Sequence, residues 1–197
     1  TLTNWARAGI ATQSTDYSAQ GAASKGIDGN TLGGWADATT THTADSENTA
    51  DSNPWWQVDL QETKPIGHLH VWFREDCCQV RNDDLRIVIF DSTNVTTRVK
   101  LWETNTLAWA GAVPRDLGFD LTSAVSGRVV YVEHFPEHDT DNYVCLTEVE
   151  VFNQPLTAVA NYALQGTATS SSCYNSDCDL YGPQQAIDGN HHAWTSI

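Results

Sequence analysis

The sequence of 197 residues has no methionine and little positive charge: ten Lys and Arg residues stand against 25 Asp and Glu residues, a net charge of -15. A chain this acidic repels nucleic-acid phosphates and anionic membrane surfaces, which excludes both as partners, whereas it attracts cations. No apolar run approaches the roughly 18 residues of a transmembrane helix, so we expect no membrane insertion. Because a charged-then-apolar leader is also missing, we expect any targeting peptide to lie outside this sequence.

The sequence also lacks an amphipathic helical pattern of two clear turns. Its apolar residues instead form short runs, rich in Val, Ile, Phe and Trp, at 55–60, 66–73, 85–90, 128–135 and 147–152. Clusters of Gly, Asn, Asp, Ser and Pro separate these runs, as turns separate strands. The pattern predicts an all-β sandwich with long loops gathered at the ends of the strands.

Part of the sequence is repeated. The segment NWARAGIATQS (4–14) recurs as NYALQGTATSS (161–171), and GIDGN recurs after it as AIDGN. Two matches in the same order predict two copies of one domain. We expect a complete domain over residues 1–155 and the N-terminal part of a second, incomplete copy over residues 156–197.

Two of the five cysteines, Cys77 and Cys78, are adjacent. Neighbouring Cα atoms lie about 3.8 Å apart, below the usual disulfide span of about 4.4 to 6.8 Å, so a bond between them closes a strained ring. Its sulfurs would form an apolar platform suited to the face of a sugar ring. Separate roles for the two thiols remain an alternative; zinc is disfavoured because the C-x-x-C and H-x-x-x-H spacings are absent.

Charged residues bracket this pair: Arg74, Asp76 and Arg81 lie within eight residues of one another. Guanidinium forks present paired donors that match adjacent hydroxyls, and Asp76 can orient both forks. A solvated surface ion-pair group is the alternative explanation. The platform and the forks together favour a ligand site.

The motif R-x-D-C-C-x-x-R at 74–81 resembles the signature of the F-type lectins (fucolectins). The resemblance extends through NPWWQVDL (53–60), GIDGN (26–30) and LTEVEVF (146–152), and covers residues 1–155 and the partial second copy. It implies a jelly-roll β-sandwich, similar to discoidin domains, that binds L-fucose on fucosylated glycans. Such a lectin is secreted, which agrees with the cysteines and with a glycosylation triplet at 94–96.

The resemblance also implies a set of site residues. The predicted fucose-binding residues are His42, Arg74, Asp76, Cys77, Cys78, Arg81 and Trp35. The arginines would donate to the axial 4-hydroxyl and neighbouring oxygens, His42 would bond a further hydroxyl, and the disulfide would stack on the ring. Trp35 stands where the family has an aromatic against the fucose methyl group. The loop between His42 and Arg74 is longer than in the family, so an ordinary exposed histidine remains an alternative, as does a core role for Trp35.

A structural Ca²⁺ is also implied. The matching ligand positions are Asp28, Asn30, Thr39 and Glu148, with the backbone carbonyls of Lys25 and Thr147. Such an oxygen shell suits calcium. From the residues alone, Asp-Gly-Asn is equally well explained as a turn.

The cysteines depart from the family in one respect. Members often link the loop before the histidine to the last strand by a disulfide, but those positions are Thr40 and Thr147 in this chain. We expect Cys145 to be a buried thiol, and Cys173 and Cys178 to pair locally.

We therefore predict a non-enzymatic, calcium-stabilised lectin for fucosylated glycans, made multivalent by tandem copies or oligomerisation. The alternative is a discoidin-like adhesion module for non-fucosylated glycans, proteins or lipids. For an enzyme, the candidates are HLH (68–70) and EHFPEH (133–138). His68 and His70 share a strand face, as metal ligands do, but no third ligand is identifiable, and we interpret them as polar residues on a solvent-facing surface.

Overall fold

The structure, a computed structural model, describes residues 1–44, 51, 53–82, 84–105, 107, 115–134 and 143–156 and the single residues 167, 169 and 172. The chain divides into two units, Thr1–Leu156 and Thr157–Ile197. All described strands and helices belong to the first unit. The expected pairing of Cys173 with Cys178 lies outside the described residues, and the partial second repeat stays a prediction.

The described residues of the first unit form six antiparallel strands. They are β1 (Ile10–Gln13), β2 (Trp55–Phe73), β3 (Leu85–Phe90), β4 (Lys100–Glu103), β5 (Asp116–His134) and β6 (Leu146–Phe152). Their order is β1-β2-β5-β3-β4, and β6 pairs with β2. Short 3-10 helices occupy Ala6–Ala8, Ala19–Gly21, Ala23–Ile27 and Gln79–Asn82. Within the described residues, no helix has the length and apolar character needed to cross a membrane.

The two longest strands, β2 and β5, run through both layers of the sandwich. The first half of β2 pairs with β1 and the end of β5, whereas its second half pairs with β6 and the start of β5. Between these halves the register shifts twice, and Gln61 has a left-handed φ of 68°. Such irregularities bend a strand and increase its twist. The fold is the predicted all-β jelly-roll sandwich.

The core is continuous across this bend because the burial pattern of β2 changes phase there. Trp56 and Val58 are buried before the bend, and Leu69 and Val71 after it. A one-residue shift reverses which side chains point inward, so the phase change keeps both halves facing one core. The other strands complete it with Ile87, Ile89, Val130, Val132, Val149 and Val151.

Trp56 also attaches the N-terminal loops to this core. Its Nε1 donates to the carbonyl of Ala23 at 2.9 Å. Its indole lies so close to Gly26 that a Cβ there would come within 2.9 Å of the ring. The 3-10 helix Ala23–Ile27 is thereby fixed, and it positions the turn that follows at Asp28.

Candidate functional site

His42 lies at the centre of the cluster that the predicted sugar-binding residues form. The side chain is buried, with 4% exposed, so the alternative of an ordinary exposed histidine is wrong. Its Nδ1 lies 2.6 Å from the carbonyl oxygen of Thr43, and its Nε2 lies 3.1 Å from Nη1 of Arg81. Because a carbonyl only accepts, we assign the ring proton to Nδ1. Nε2 then accepts a hydrogen bond from the guanidinium.

Arg81 connects His42 to the cysteine segment. It lies in the 3-10 helix Gln79–Asn82, and its backbone N–H donates to the carbonyl of Cys78 at 3.0 Å. The guanidinium carbon lies 4.1 Å from the ring centroid of Tyr143, a cation–π contact. His42 and Tyr143 therefore fix this guanidinium from two sides.

The two adjacent cysteines form a disulfide, with their sulfurs 2.05 Å apart and their Cα atoms 3.7 Å apart. The alternative of separate roles for the two thiols is therefore wrong. Both residues are partly exposed. Cys78 has a positive φ of 64°, a conformation that a non-glycine residue keeps only when the surrounding structure imposes it.

Arg74 approaches from the end of β2 and is held by Asp76. Its Nε donates to Oδ1 at 2.5 Å and its Nη2 to Oδ2 at 3.2 Å. The hydrogen bond from Arg74 is the largest cause that lowers the pKa of Asp76, and the backbone N–H of Trp35, at 3.1 Å from Oδ2, lowers it further. The carboxylate is therefore ionised at neutral pH. It takes two of the five N–H donors of Arg74.

Aromatic side chains fill the space between Arg74 and His42. Trp35 lies edge-on to His42, with ring centroids 5.2 Å apart, and Arg74 lies 5.5 Å from its centroid. Trp35 is partly exposed in a loop, so a core role for it is wrong. Tyr17, which is 53% exposed, stands 4.8 Å from His42 and 5.8 Å from Trp35. Sequence reasoning identified neither Tyr17 nor Tyr143, because no motif marks them.

The cluster combines two kinds of surface. Arg74 and Arg81 supply directed N–H donors, and the disulfide and the aromatic rings supply apolar contact area. Arg74, whose charge Asp76 already balances, suits a neutral ligand with many hydroxyls better than an anionic one.

The structure places Asp28 and Glu148, two of the residues expected to bind calcium, close to one another. Glu148 is buried, with 1% exposed; its Oε2 accepts from the N–H of Gly29 at 3.0 Å, and its Oε1 has no hydrogen-bond partner among the described residues. Burial, aided by the negative charge of Asp28, raises the pKa of Glu148 to about 7. A cation would supply the missing partner and add to the positive charge of Arg7, which lowers the pKa of Glu148, so these residues fit Ca²⁺.

The other side chains predicted to bind calcium differ in the hydrogen bonds that they already make. Side-chain oxygens of Asp28 and Asn30 accept from the N–H groups two residues onward, at 2.9 and 3.0 Å, so the alternative turn is present and retains acceptor capacity for a cation. The hydroxyl of Thr39 already bonds to the carbonyls of Leu32 and Gly34.

The last two predicted ligands were assigned through their backbone carbonyls. The N–H of Lys25 donates to Ala22 at 3.1 Å, and the hydroxyl of Thr147 donates to Phe73 at 3.1 Å. Among the described residues there is no group of three or more His, Cys, Asp or Glu side chains placed to hold a metal ion. The implied calcium shell has only two such side chains, its other ligands being neutral oxygens, and it stays a prediction.

The remaining sequence candidates have structural roles. Thr40 and Thr147 are both buried, and Cys145 is a buried thiol, as expected. His134 is buried, and residues 135–138 of the EHFPEH segment lie outside the described part of the chain. The solvent-facing interpretation is wrong for His68, which is 5% exposed.

Fold and cluster together define the class: a β-sandwich of the galactose-binding type with its candidate ligand site in the loops. The family described as NedA-like, galactose-binding domain matches residues 25–132, more than half of the sequence, and the chain belongs to this family.

Within that family the domain is fucolectin-like. It is 37% identical over 93 residues to Fucolectin-4 of Anguilla japonica, a match that covers 45% of this chain and 49% of that protein. The chain thus spans about half the length of the curated relatives it matches. A fucolectin from the serum of striped bass, Morone saxatilis, is similar in structure, with 32% identity, a TM-score of 0.63, and coverage of 96% of this chain and 60% of its own. The lectin domain of lectinolysin, solved with Lewis B antigen, has 26% identity, a TM-score of 0.62, and coverage of 77% of this chain and 97% of its own.

Proposed function

We propose that this chain is a non-enzymatic lectin that binds L-fucose on fucosylated glycans. One observation carries the proposal: Arg74 and Arg81, oriented by Asp76 and His42, flank a disulfide between adjacent cysteines. L-Fucose presents neighbouring hydroxyls on one side and an apolar ring face and methyl group on the other. Fixed guanidinium forks match the first kind of surface, and sulfurs and aromatic rings match the second. The similarity to fucolectins supports the same conclusion.

The proposed roles follow the geometry of the cluster. Arg74 and Arg81 donate to sugar oxygens, and a sugar hydroxyl bonds to Nε2 of His42 in place of Nη1 of Arg81. Asp76 keeps the Arg74 fork in place. The Cys77–Cys78 disulfide packs on the ring, and Trp35 with Tyr17 contacts the methyl group.

We propose that Ca²⁺ stabilises the segments that carry Asp28 and Glu148. Asp28, Asn30, Thr39 and Glu148 would hold it, together with the carbonyls of Lys25 and Thr147. The cation would join the turn after the 3-10 helix Ala23–Ile27 to the start of β6 by neutralising a buried carboxylate. The loop that carries Trp35 follows directly from this turn.

We also propose a secreted protein with tandem copies of the domain. The match to the striped bass fucolectin covers 96% of this chain and so extends beyond residue 156, which supports a second lectin repeat. Asn94 lies in an exposed turn between β3 and β4, where its glycosylation triplet is accessible. Because single sites for neutral sugars bind weakly, several copies would act through avidity.

Titration calorimetry of the whole chain with monosaccharides tests this proposal. We expect binding to L-fucose, weaker binding to L-galactose, which differs only in carrying a hydroxyl on the methyl carbon, and weaker binding to D-galactose. A glycan array should then enrich fucosylated structures. Preference for D-galactose, or enrichment of only non-fucosylated glycans, would instead support the discoidin-like adhesion module.

A further inference from the structure

Two histidines on the outer face of β2, away from the proposed sugar site, are each oriented by a carboxylate of β5. Nδ1 of His68 lies 2.6 Å from Oδ1 of Asp120, and Nε2 of His70 lies 2.7 Å from Oδ1 of Asp116. A carboxylate accepts, so each of these nitrogens carries the ring proton. The other nitrogens, Nε2 of His68 and Nδ1 of His70, therefore present lone pairs. Carboxylate partners of this kind fix the tautomer of histidines that bind metals.

Both nitrogens lie near the same position above Gly118. A Cβ at this position would lie 3.3 Å from Nε2 of His68 and 3.6 Å from Nδ1 of His70. The two imidazole centroids are 5.7 Å apart. In the ladder, Gly118 is opposite His70 and is exposed to solvent. The glycine therefore leaves an open position between two nitrogens that converge from neighbouring residues of one strand face.

This arrangement is incomplete without a further group. Nε2 of His68 is buried and has no hydrogen-bond partner among the residues that the structure describes. It cannot bond to Nδ1 of His70, because neither nitrogen carries a proton. Two lone pairs close to one position can be shared by a cation or by a water molecule that donates to both.

We propose that a divalent transition-metal ion such as Zn²⁺ or Cu²⁺ binds between Nε2 of His68 and Nδ1 of His70. Imidazole nitrogens are preferred by these ions, whereas Ca²⁺ prefers oxygen. The separation of the rings leaves room for one ion bonded to both nitrogens at about 2.0 to 2.1 Å, the usual Zn–N distance. Water or a donor from another molecule completes the shell, since the described residues offer no third side-chain ligand.

The surroundings favour a cation. Asp116 and Asp120 flank the pair on β5, and Glu150 is opposite His70 on β6, where it accepts a hydrogen bond from Trp72 at 3.1 Å.

Calorimetric titration of the chelator-treated whole chain with Zn²⁺, in buffer that contains Ca²⁺, tests the proposal. Two variants isolate the site: His70→Gln removes one ligand, and Gly118→Ala retains both imidazoles but places a methyl group in the space between them. We expect one Zn²⁺-binding event of the parent to disappear in both variants, with a loss of affinity of at least tenfold. Any other Zn²⁺ sites on the chain would remain in both.

Circular dichroism and L-fucose binding establish that the variants are folded, because neither change lies in the sugar site. Gly118→Ala is the more specific variant, because it keeps both imidazoles. If the two histidines had only a structural role, this substitution would leave the affinity of the chain for Zn²⁺ unchanged. If the parent binds no Zn²⁺ at micromolar concentrations, or if both variants bind it as the parent does, the two nitrogens do not form a metal site.

Discussion

Nε2 of His42 accepts a hydrogen bond from Nη1 of Arg81 at 3.1 Å, while Nδ1 of the same ring bonds to the adjacent carbonyl of Thr43 at 2.6 Å. The second bond fixes the tautomer that the first requires. A ligand oxygen at this position therefore meets guanidinium donors of Arg81 whose directions are set before it binds. Such preorganisation reduces the entropy lost on binding.

Replacing either arginine by lysine should weaken fucose binding. A lysine retains the charge but cannot reproduce a planar fork, so Arg74→Lys and Arg81→Lys should each cost about 1 to 3 kcal/mol in titration calorimetry. Arg128→Lys is the matched control, because Arg128 makes the same kind of paired contact with Asp59, at 2.8 and 3.0 Å, outside the cluster. Unchanged affinity in both site variants would remove the arginines from the site.

Much of this cluster was accessible to sequence reasoning because it is local. Arg74, Asp76 and Arg81 surround adjacent cysteines within one short segment, and their residue types alone indicate directed donors beside an apolar platform. Tyr17 and Tyr143 could not be found in this way, since they reach the cluster from loops distant in sequence. The burial of His68 was missed for the same reason: Phe152, whose ring centroid lies 6.0 Å from that of His68, is on β6, and the hydrogen-bond partner Asp120 is 52 residues away.

The fold was predicted where apolar residues are dense. β3 coincides with the apolar run at 85–90, and β6 nearly coincides with the run at 147–152. The sequence pattern predicts two strands where β2 is one, because exposed polar residues at the bend interrupt the apolar runs. β4 was missed because it is a four-residue edge strand whose side chains are mostly exposed, so packing imposes no alternation on it.

Trp35→Ala should reduce the preference for L-fucose over L-galactose more than it reduces the binding of both sugars. If the indole contacts the methyl group of fucose, its removal should weaken L-fucose binding by about 1 kcal/mol, the order of one buried methyl group. L-Galactose, which has a hydroxymethyl group there, should lose less. Partial misfolding would weaken the binding of both sugars equally, so the ratio of their affinities serves as an internal control. An unchanged ratio would place the methyl group elsewhere.

The double variant Cys77→Ser, Cys78→Ser should melt close to the parent but bind fucose much more weakly. A disulfide between adjacent residues closes almost no loop, so it contributes little to stability through the entropy of the unfolded chain. Its loss nevertheless replaces a fixed platform with two mobile, polar side chains. Cys145→Ser is the opposite control: it puts a hydroxyl in place of a buried thiol and should lower the melting temperature more than the affinity. Equal binding by the double variant and the parent would show that the platform is not used.

The stability of the domain should depend on pH through Glu148, and calcium should change that dependence. Without a cation, burial raises the pKa of Glu148 from its ordinary value of 4.5 to about 7. Between these values the folded state binds more protons than the unfolded state, so the free energy of unfolding falls as pH rises through this window. The loss is complete above about pH 7 and amounts to a few kcal/mol at most, since one pKa unit corresponds to about 1.4 kcal/mol.

A bound Ca²⁺ would pair with the ionised carboxylate and so reverse this trend. We expect the melting temperature to fall from pH 5 to pH 8 in the presence of a chelator, and to fall less, or to rise, in excess Ca²⁺. Glu148→Gln has no titrating carboxylate, so it should remove the pH-dependent difference and most of the response to calcium. Scanning calorimetry of both proteins at several pH values provides the measurement. Parallel curves with and without Ca²⁺ in the parent protein would show that Glu148 is buried for another reason, and that the loop between the 3-10 helix Ala23–Ile27 and Trp35 is held without a cation.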